Sequence, residues 1–275
     1  MALIFTTGIP RGYRAATGAV GATVGVVVAV LTDAGGTGEP IVLLHGLMGS
    51  GRTWRRQVPW LREFGQVSVV DAEGHRGARD SRAVPTTDDF VDDLVEVLGE
   101  GGPATVIGHS MGGLHAWCLA ARRPDLVRAL VIEDMAPDFR GLTSAPWAAT
   151  IEAWPQPFPD DDAVRAYFGD VAGQYFLDSF ERRDDGWWLH GDVATFRAIA
   201  DEWGRRDFWS EWSAVRAPVL LIEAEHSVTP SGQMARMHAL HPESTHVRIA
   251  GAGHLVHDDR PEDYRRVVTE FLRAR

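Results

Sequence analysis

Gly108-His-Ser-Met-Gly-Gly113 carries the spacing G-x-S-x-G, directly after a β-type run and directly before an apolar helical stretch. In that setting the pattern reads as a nucleophile elbow, with Ser110 exposed on a sharp strand-to-helix turn. The flanking glycines are needed because the turn strains the serine backbone and leaves no room for larger neighbours. The helix that follows aims its amide end at the serine, where negative charge develops during acyl transfer. An oxyanion needs two preorganised N–H donors. Met111, the residue after Ser110, supplies one. Leu47 supplies the other, in the loop His45-Gly-Leu-Met-Gly49 that follows the apolar run Ile41 to Leu44. His45 itself is expected to brace that loop. The serine also needs a base that titrates near neutrality, which imidazole provides. The chain has 11 histidines, and His226, His246 and His257 lie late in it as well. Only His254, in Gly251-Ala-Gly-His254, sits in a glycine-flanked loop just beyond the last strand-like run, which brings it to the same sheet edge as Ser110. His254 and His257 have H-x-x-H spacing but no third ligand is apparent, so no metal is expected. His257 is expected at the surface or at a helix start.

The elements that must hold these groups follow from periodicity. Ile41 to Leu44, Val67 to Val70, Ala104 to Ile107, Ala129 to Ile132, Val219 to Ile222 and His246 to Ile249 are short apolar runs that read as strands. Between them, Trp54 to Phe64, Asp88 to Leu98 and Met111 to Arg123 read as helices, and Pro261 to Arg273 closes the chain as an amphipathic helix with proline in its first turn. Strand–helix alternation predicts a doubly wound, mainly parallel α/β sheet. The stretch from Ala136 to Val215 breaks the rhythm, with no clear strand signal. It holds Trp147, Trp154, Trp187, Trp188, Trp203, Trp209 and Trp212, seven of the ten tryptophans. A structureless loop of that length is improbable, so it reads as a helical cap inserted into the core. The expected domains are therefore a core of residues 1–135 and 216–275 and a cap of residues 136–215.

A chain of 275 residues with 45% apolar and 24% charged side chains suits one soluble globular unit of this kind. The formal net charge of −11 excludes a general binder of nucleic acid or of an anionic membrane. Cys118 is the single cysteine, in an apolar helical stretch, so no internal disulfide can form and a buried structural thiol is expected. Ala15 to Leu31 is apolar and follows Arg11 and Arg14, a superficial likeness to a secretion signal. Its glycines and β-branched residues fit two opening strands with a turn better, and cytoplasm is the expected compartment.

Taken in order, HGLMG, GHSMGG and GAGH resemble the α/β-hydrolase superfamily from about Ile41 to the C-terminus. The resemblance implies the α/β-hydrolase fold, a Ser–His–acid triad, acyl-enzyme chemistry and no cofactor. The acid is where this chain departs from the common pattern. Many members place an aspartate in a G-x-x-D loop after the penultimate strand, and here that loop reads Ala224-Glu-His-Ser227. Asp134, in Asp134-Met-Ala-Pro137, is similar to the D-x-A-P aspartate of a bacterial esterase subgroup and its eukaryotic relatives, which also share the HGL-x-GS loop, here His45 to Ser50. Asp134 is thus the expected acid and Glu225 the alternative. Glu133 is expected to face away by strand alternation.

The expected activity is hydrolysis of an ester or a related acyl bond. Lactone, thioester, amide or C–C cleavage and perhydrolysis use the same machinery. A small-molecule receptor built on the fold is the rival of another class. In the insertion, Phe196, Ile199, Ala200 and Trp203 share one helix face, which reads first as packing. Some of its aromatics are expected to line a pocket for an apolar or aromatic substrate group. Nothing in the sequence sets an oligomeric state.

Overall fold

The structure is a computed structural model that describes residues 29–75, 85–99, 101–142 and 144–275. In chain order it runs β1 (Val30–Gly35), β2 (Pro40–Leu44), a 3-10 turn (Gly51–Trp54), α1 (Val58–Leu61), β3 (Gln66–Asp71), α2 (Thr87–Leu98), β4 (Ala104–His109), α3 (Met111–Arg122) and β5 (Val127–Glu133). Then come α4 (Ala145–Glu152), α5 (Asp161–Phe168), α6 (Asp170–Ser179), the hairpin β6 (Glu181–Arg183) and β7 (Gly186–Trp188), α7 (Val193–Arg205) and α8 (Trp209–Ala214). The chain ends with β8 (Val219–His226), α9 (Gln233–Leu240), β9 (Thr245–Gly253), α10 (Val256–Asp259) and α11 (Pro261–Arg273).

Seven strands form one sheet in the order β1-β3-β2-β4-β5-β8-β9, and every neighbouring pair is parallel except β1 with β3. The apolar runs are continuous because both faces of the sheet are covered, yet the two-residue period decides which face each side chain joins. Val42 and Leu44 of β2, Leu130 and Ile132 of β5, and Val219 and Leu221 of β8 pack with α2, α3, α8 and α9. Their neighbours Ile41, Leu43, Ala129, Val131, Leu220 and Ile222 pack with α1, α10 and α11 on the other face. Helix α2 starts at a reciprocal capping box, with Thr86 and Asp89 each bonding the other's backbone N–H.

Three details differ from expectation. The helix anticipated over Trp54 to Phe64 is instead a 3-10 turn capped by Ser50 followed by the four-residue α1, because Pro59 lacks the N–H that a helix interior needs. The insertion is helical but also holds the hairpin β6–β7, whose three-residue strands are too short to give a period. Of the opening strands anticipated over Ala15 to Leu31, the part up to residue 28 lies outside the described residues, and β1 begins at Val30.

The excursion from β5 to β8 leaves and re-enters between adjacent strands of the sheet. Its two ends are tied together: Asp138 and Asp207 form an isolated antiparallel bridge, and Phe208 N–H donates to Pro137 O at 2.8 Å. The insertion has its own apolar cluster, including Ile151, Phe158, Val164, Leu177, Phe180 and Phe196. Leu47 and Met48 from the loop after β2 pack against it.

Candidate active site

β4 delivers His109 and Ser110 at its carboxyl end, and α3 begins at once with Met111. Ser110 is held at φ +51°, with its N–H on Glu133 O at 2.8 Å and its carbonyl taken by Gly113 N–H at 2.8 Å. The glycines make that turn possible. A Cβ on Gly108 would run into the carbonyl of Gly112, and a Cβ on Gly112 into the carbonyl oxygen of Leu44. As the first residue of α3, Met111 has no intrahelical acceptor for its N–H.

The loop after β2 approaches the serine closely. A Cβ on Gly46 would lie 3.3 Å from Ser110 Cβ and 2.6 Å from His109 Nδ1. His45 braces this loop: it is buried, its Nδ1 bonds Gly46 O at 2.8 Å, and its Nε2 accepts Ala72 N–H at 3.1 Å. Burial holds its pKa below the ordinary 6.5, in keeping with a neutral ring that accepts from an amide.

Asp134 follows β5 at φ +46°, fully buried. Its N–H bonds Ile222 O at 2.8 Å, and its Oδ1 accepts Ala224 N–H at 3.0 Å. Its Oδ2 lies 2.7 Å from His254 Nδ1. An ionised carboxylate only accepts, so the proton between them belongs to Nδ1 and Nε2 keeps its lone pair. His254 follows β9, and His109 Nε2 donates to its carbonyl at 3.1 Å, tying the histidine loop to the serine turn. Glu225 stands elsewhere. It is exposed, and its Oε2 accepts Gly251 N–H at 2.6 Å, the contact that most lowers its pKa. Ser227 closes a local turn with Thr229, accepting its N–H at 2.9 Å.

Met48 (φ +62°), Ser110 and Asp134 are the non-glycine residues with positive φ among the described ones. Each such residue costs on the order of 1–3 kcal/mol and persists only where surroundings over-determine it. All three lie at the carboxyl edge of the sheet, on the loops after β2, β4 and β5. A sequence profile of the alpha/beta hydrolase family matches residues 41–267, which span this whole constellation.

The chain belongs to the alpha/beta hydrolase family. It is 27% identical over 253 residues to a 2-(acetamidomethylene)succinate hydrolase of Mesorhizobium japonicum, covering 87% of this chain and 90% of that one. It is 29% identical over 262 residues to an sn-1-specific diacylglycerol lipase of Danio rerio, covering 87% and 80%. A crystal structure of E-2-(acetamidomethylene)succinate hydrolase superposes with a TM-score of 0.77 at 25% identity, over 88% of this chain and 94% of that one.

Around its serine turn this alpha/beta hydrolase carries groups that sequence reasoning missed. His257, expected at the surface or a helix start, does lie in the first turn of α10, but it is fully buried rather than at the surface. Its Nδ1 lies 2.8 Å from Glu133 Oε1, which also takes its backbone N–H at 3.0 Å. As expected, the alternation of β5 sends Glu133 to the α11 face, opposite Asp134, where the histidine partners its carboxylate. Burial by itself would lower the His257 pKa, but the charge and hydrogen bond of Glu133 and the charge of Asp258 together raise it above 6.5. Asp258 also receives Arg55, which reaches Asp178 of α6 at 2.6 Å and so joins core to insertion. Tyr175 of α6 donates to Leu47 O at 3.3 Å, and burial raises its pKa. His75 accepts Met48 N–H. The signal for His75 was present: it follows Gly74 just past the strand-like run Val67 to Val70, at the same sheet edge as the motifs. Tyr175 and the Glu133–His257 pair carry no local signal, since each depends on contacts across more than 100 residues.

Two further features bear on chemistry and setting. Among the described residues no group of three or more His, Cys, Asp or Glu side chains could hold a metal. Among them, too, no helix is long and apolar enough to cross a membrane.

Proposed function

We propose that this alpha/beta hydrolase is a serine hydrolase that cleaves an ester or related acyl bond through an acyl-enzyme. The observation that carries the reading is the 2.7 Å hydrogen bond from His254 to the buried Asp134, beside a serine held in a strained strand-to-helix turn. Ser110 Oγ attacks the carbonyl carbon while His254 Nε2 takes its proton. The N–H groups of Leu47 and Met111 receive the oxyanion. His254 then protonates the leaving group, and in the second half it deprotonates the water that releases the acid. Asp134 fixes the tautomer and stabilises the imidazolium. The sequence Asp134-Met-Ala-Pro137 supports placing the chain with esterases that carry their acid at this point. Residues 136–215 act as a cap over the serine. Their apolar cluster reaches Leu47 and Met48, which favours an apolar or aromatic group on the substrate. One relative is named for a succinate derivative and another for a diacylglycerol, so the family resemblance leaves the bond type to experiment. We place the protein in the cytoplasm, because its single cysteine gives no disulfide that export would favour.

Labelling with a fluorophosphonate probe tests the reading. Wild type should label at Ser110 and Ser110→Ala should not, and that substitution should lower kcat by at least about 10³-fold with the fold intact. A serine that fails to label favours the receptor reading instead. A panel of p-nitrophenyl esters of graded chain length, with lactones, thioesters and amides beside them, then assigns the bond; rates that rise with acyl length support the apolar pocket.

A further inference from the structure

Two buried histidines bind the loop after β2 to the loop after β3, and they do so reciprocally. His45 reaches from the first loop to accept Ala72 N–H of the second at 3.1 Å. His75 reaches from the second loop to accept Met48 N–H of the first at 3.1 Å. The two rings stand 4.8 Å apart. The Nδ1 atom of His75 lies 2.8 Å from Glu73 O. A carbonyl only accepts, so His75 carries its proton on Nδ1 and Nε2 is a true acceptor.

These contacts govern two consecutive peptide planes. The Gly46–Leu47 plane is anchored at Gly46 O by His45 Nδ1 and by Gly49 N–H at 2.9 Å. A trans peptide points its N–H opposite its C=O, so fixing Gly46 O fixes where Leu47 N–H points. The next plane, Leu47–Met48, is anchored at both polar ends: Leu47 O receives Tyr175 OH at 3.3 Å and Met48 N–H is held by His75. Met48 stands at φ +62°, a conformation a methionine does not keep unaided. The insertion closes on the same turn, with Phe196 5.1 Å from the His75 ring and Gly191 so close to Gly74 O that a Cβ would clash.

We propose that His75 is a positioning residue for the oxyanion hole: by locking the Leu47–Met48 peptide it pins the Leu47 backbone from the side opposite the anchored Gly46–Leu47 plane, so that the Leu47 N–H of that plane stays preset toward the developing charge on a substrate bound to Ser110. The inference rests on the serine-hydrolase reading above. Burial and the neighbouring His45 keep the ring below its usual pKa, which holds it in the accepting form. His75 touches neither substrate nor reacting atoms in this role; it acts through the loop.

The test separates an acceptor from a space-filler. Loss of one oxyanion donor costs about 10²–10³ in kcat, and a loosened donor should cost part of that. His75→Leu should lower kcat at least about tenfold with KM nearly unchanged, and should weaken an alkyl trifluoromethyl ketone inhibitor by a similar factor. His75→Gln, whose side-chain carbonyl can reach the Nε2 position, should recover most of the loss. Long-range ¹H–¹⁵N correlation on wild type reads the tautomer directly, whether or not the leucine variant folds. Unchanged kcat in a folded His75→Leu, a loss confined to KM, equal losses in Leu and Gln, or a proton on Nε2 would each overturn the proposal. A wild-type serine that does not label with fluorophosphonate would instead overturn the hydrolase reading, while a labelled and active enzyme indifferent to His75→Leu sinks this inference alone.

Discussion

Asp134→Asn is the sharpest perturbation of the proposed triad, because the structure sets its two competing outcomes. Asn and Asp have the same shape, so packing is preserved. The buried Ala224 N–H, now 3.0 Å from Oδ1, needs an acceptor and will hold the amide oxygen there. The amide NH₂ then faces His254 Nδ1 and donates to it, which moves the ring proton to Nε2, the nitrogen that must act as base. Rotating the amide restores the tautomer but sets NH₂ against Ala224 N–H, a buried unsatisfied donor that costs about 1–3 kcal/mol. Even then a neutral amide lacks the charge that stabilises imidazolium, a further loss of about 1.5–3 kcal/mol. At about 1.4 kcal/mol per decade, these give a combined loss of about 10²–10⁴ in kcat. The assay is kcat on the best p-nitrophenyl ester, with thermal melting to confirm folding. Glu225→Gln, at an exposed side chain on Gly251 N–H, should cost less than about tenfold. A loss below tenfold for Asp134→Asn, or a larger one for Glu225→Gln, would refute the assignment.

Other consequences can be measured directly. Glu133→Gln should destabilise the fold by about 1–3 kcal/mol in urea unfolding, since it removes the charge that His257 faces in the core. Because His257 has its pKa raised in the folded state, that contribution is complete below about 6.5 and fades as pH rises through the folded value, so the gap between variant and wild type should narrow in alkali. The opposite sign holds for His45, His75, His109 and His115, which burial depresses, His115 to about 3. Each takes up protons more readily once unfolded, so stability should fall as pH drops below about 6.5, by about 1.4 kcal/mol per pH unit for His115, whose ring stays neutral in the fold; no net proton uptake on unfolding near pH 5 would contradict this. Gly112→Ala should abolish soluble folded protein or activity, because its Cβ meets the Leu44 backbone rather than a movable side chain; a normal melting curve and normal kcat would refute that.

The motifs proposed for catalysis were legible because each occupies a short stretch with strict local demands. Gly108 and Gly112 stand where the chain cannot accept a side chain near the serine, and that need is written in the sequence itself. The strands were legible for another reason: Ile41 to Leu44 or Ala129 to Ile132 must be apolar on both faces. Glu133 was read as facing away from Asp134 and His257 as a possible helix start, but their burial as a pair escaped because a buried charge pair looks, residue by residue, like surface. Only β5 alternation and a contact across 124 residues reveal it. The β6–β7 hairpin escaped because Glu181-Arg-Arg183 has no apolar member; β7 is tied instead to the segment before α5, where Trp187 N–H and carbonyl both bond Phe158. His75 was readable as a histidine after a glycine just past a strand, but its partner, the amide of Met48, is backbone and leaves no trace in composition.

The narrow neck of the insertion has an evolutionary meaning. Since β5 and β8 are sheet neighbours, and the Asp138–Asp207 bridge and the Phe208–Pro137 bond cinch the two crossing segments, everything beyond that point is a closed excursion. Lengthening or replacing a loop whose ends are already clamped costs little extra chain entropy, about 0.6 kcal/mol per doubling. Sequence change can therefore accumulate in, or replace, the whole excursion without disturbing the strand order on which Ser110, Asp134 and His254 stand. The Tyr175 and Phe196 contacts mark where that freedom ends: a transplanted excursion that lacks them leaves Leu47 O without its phenol and the His75 ring without its aromatic neighbour.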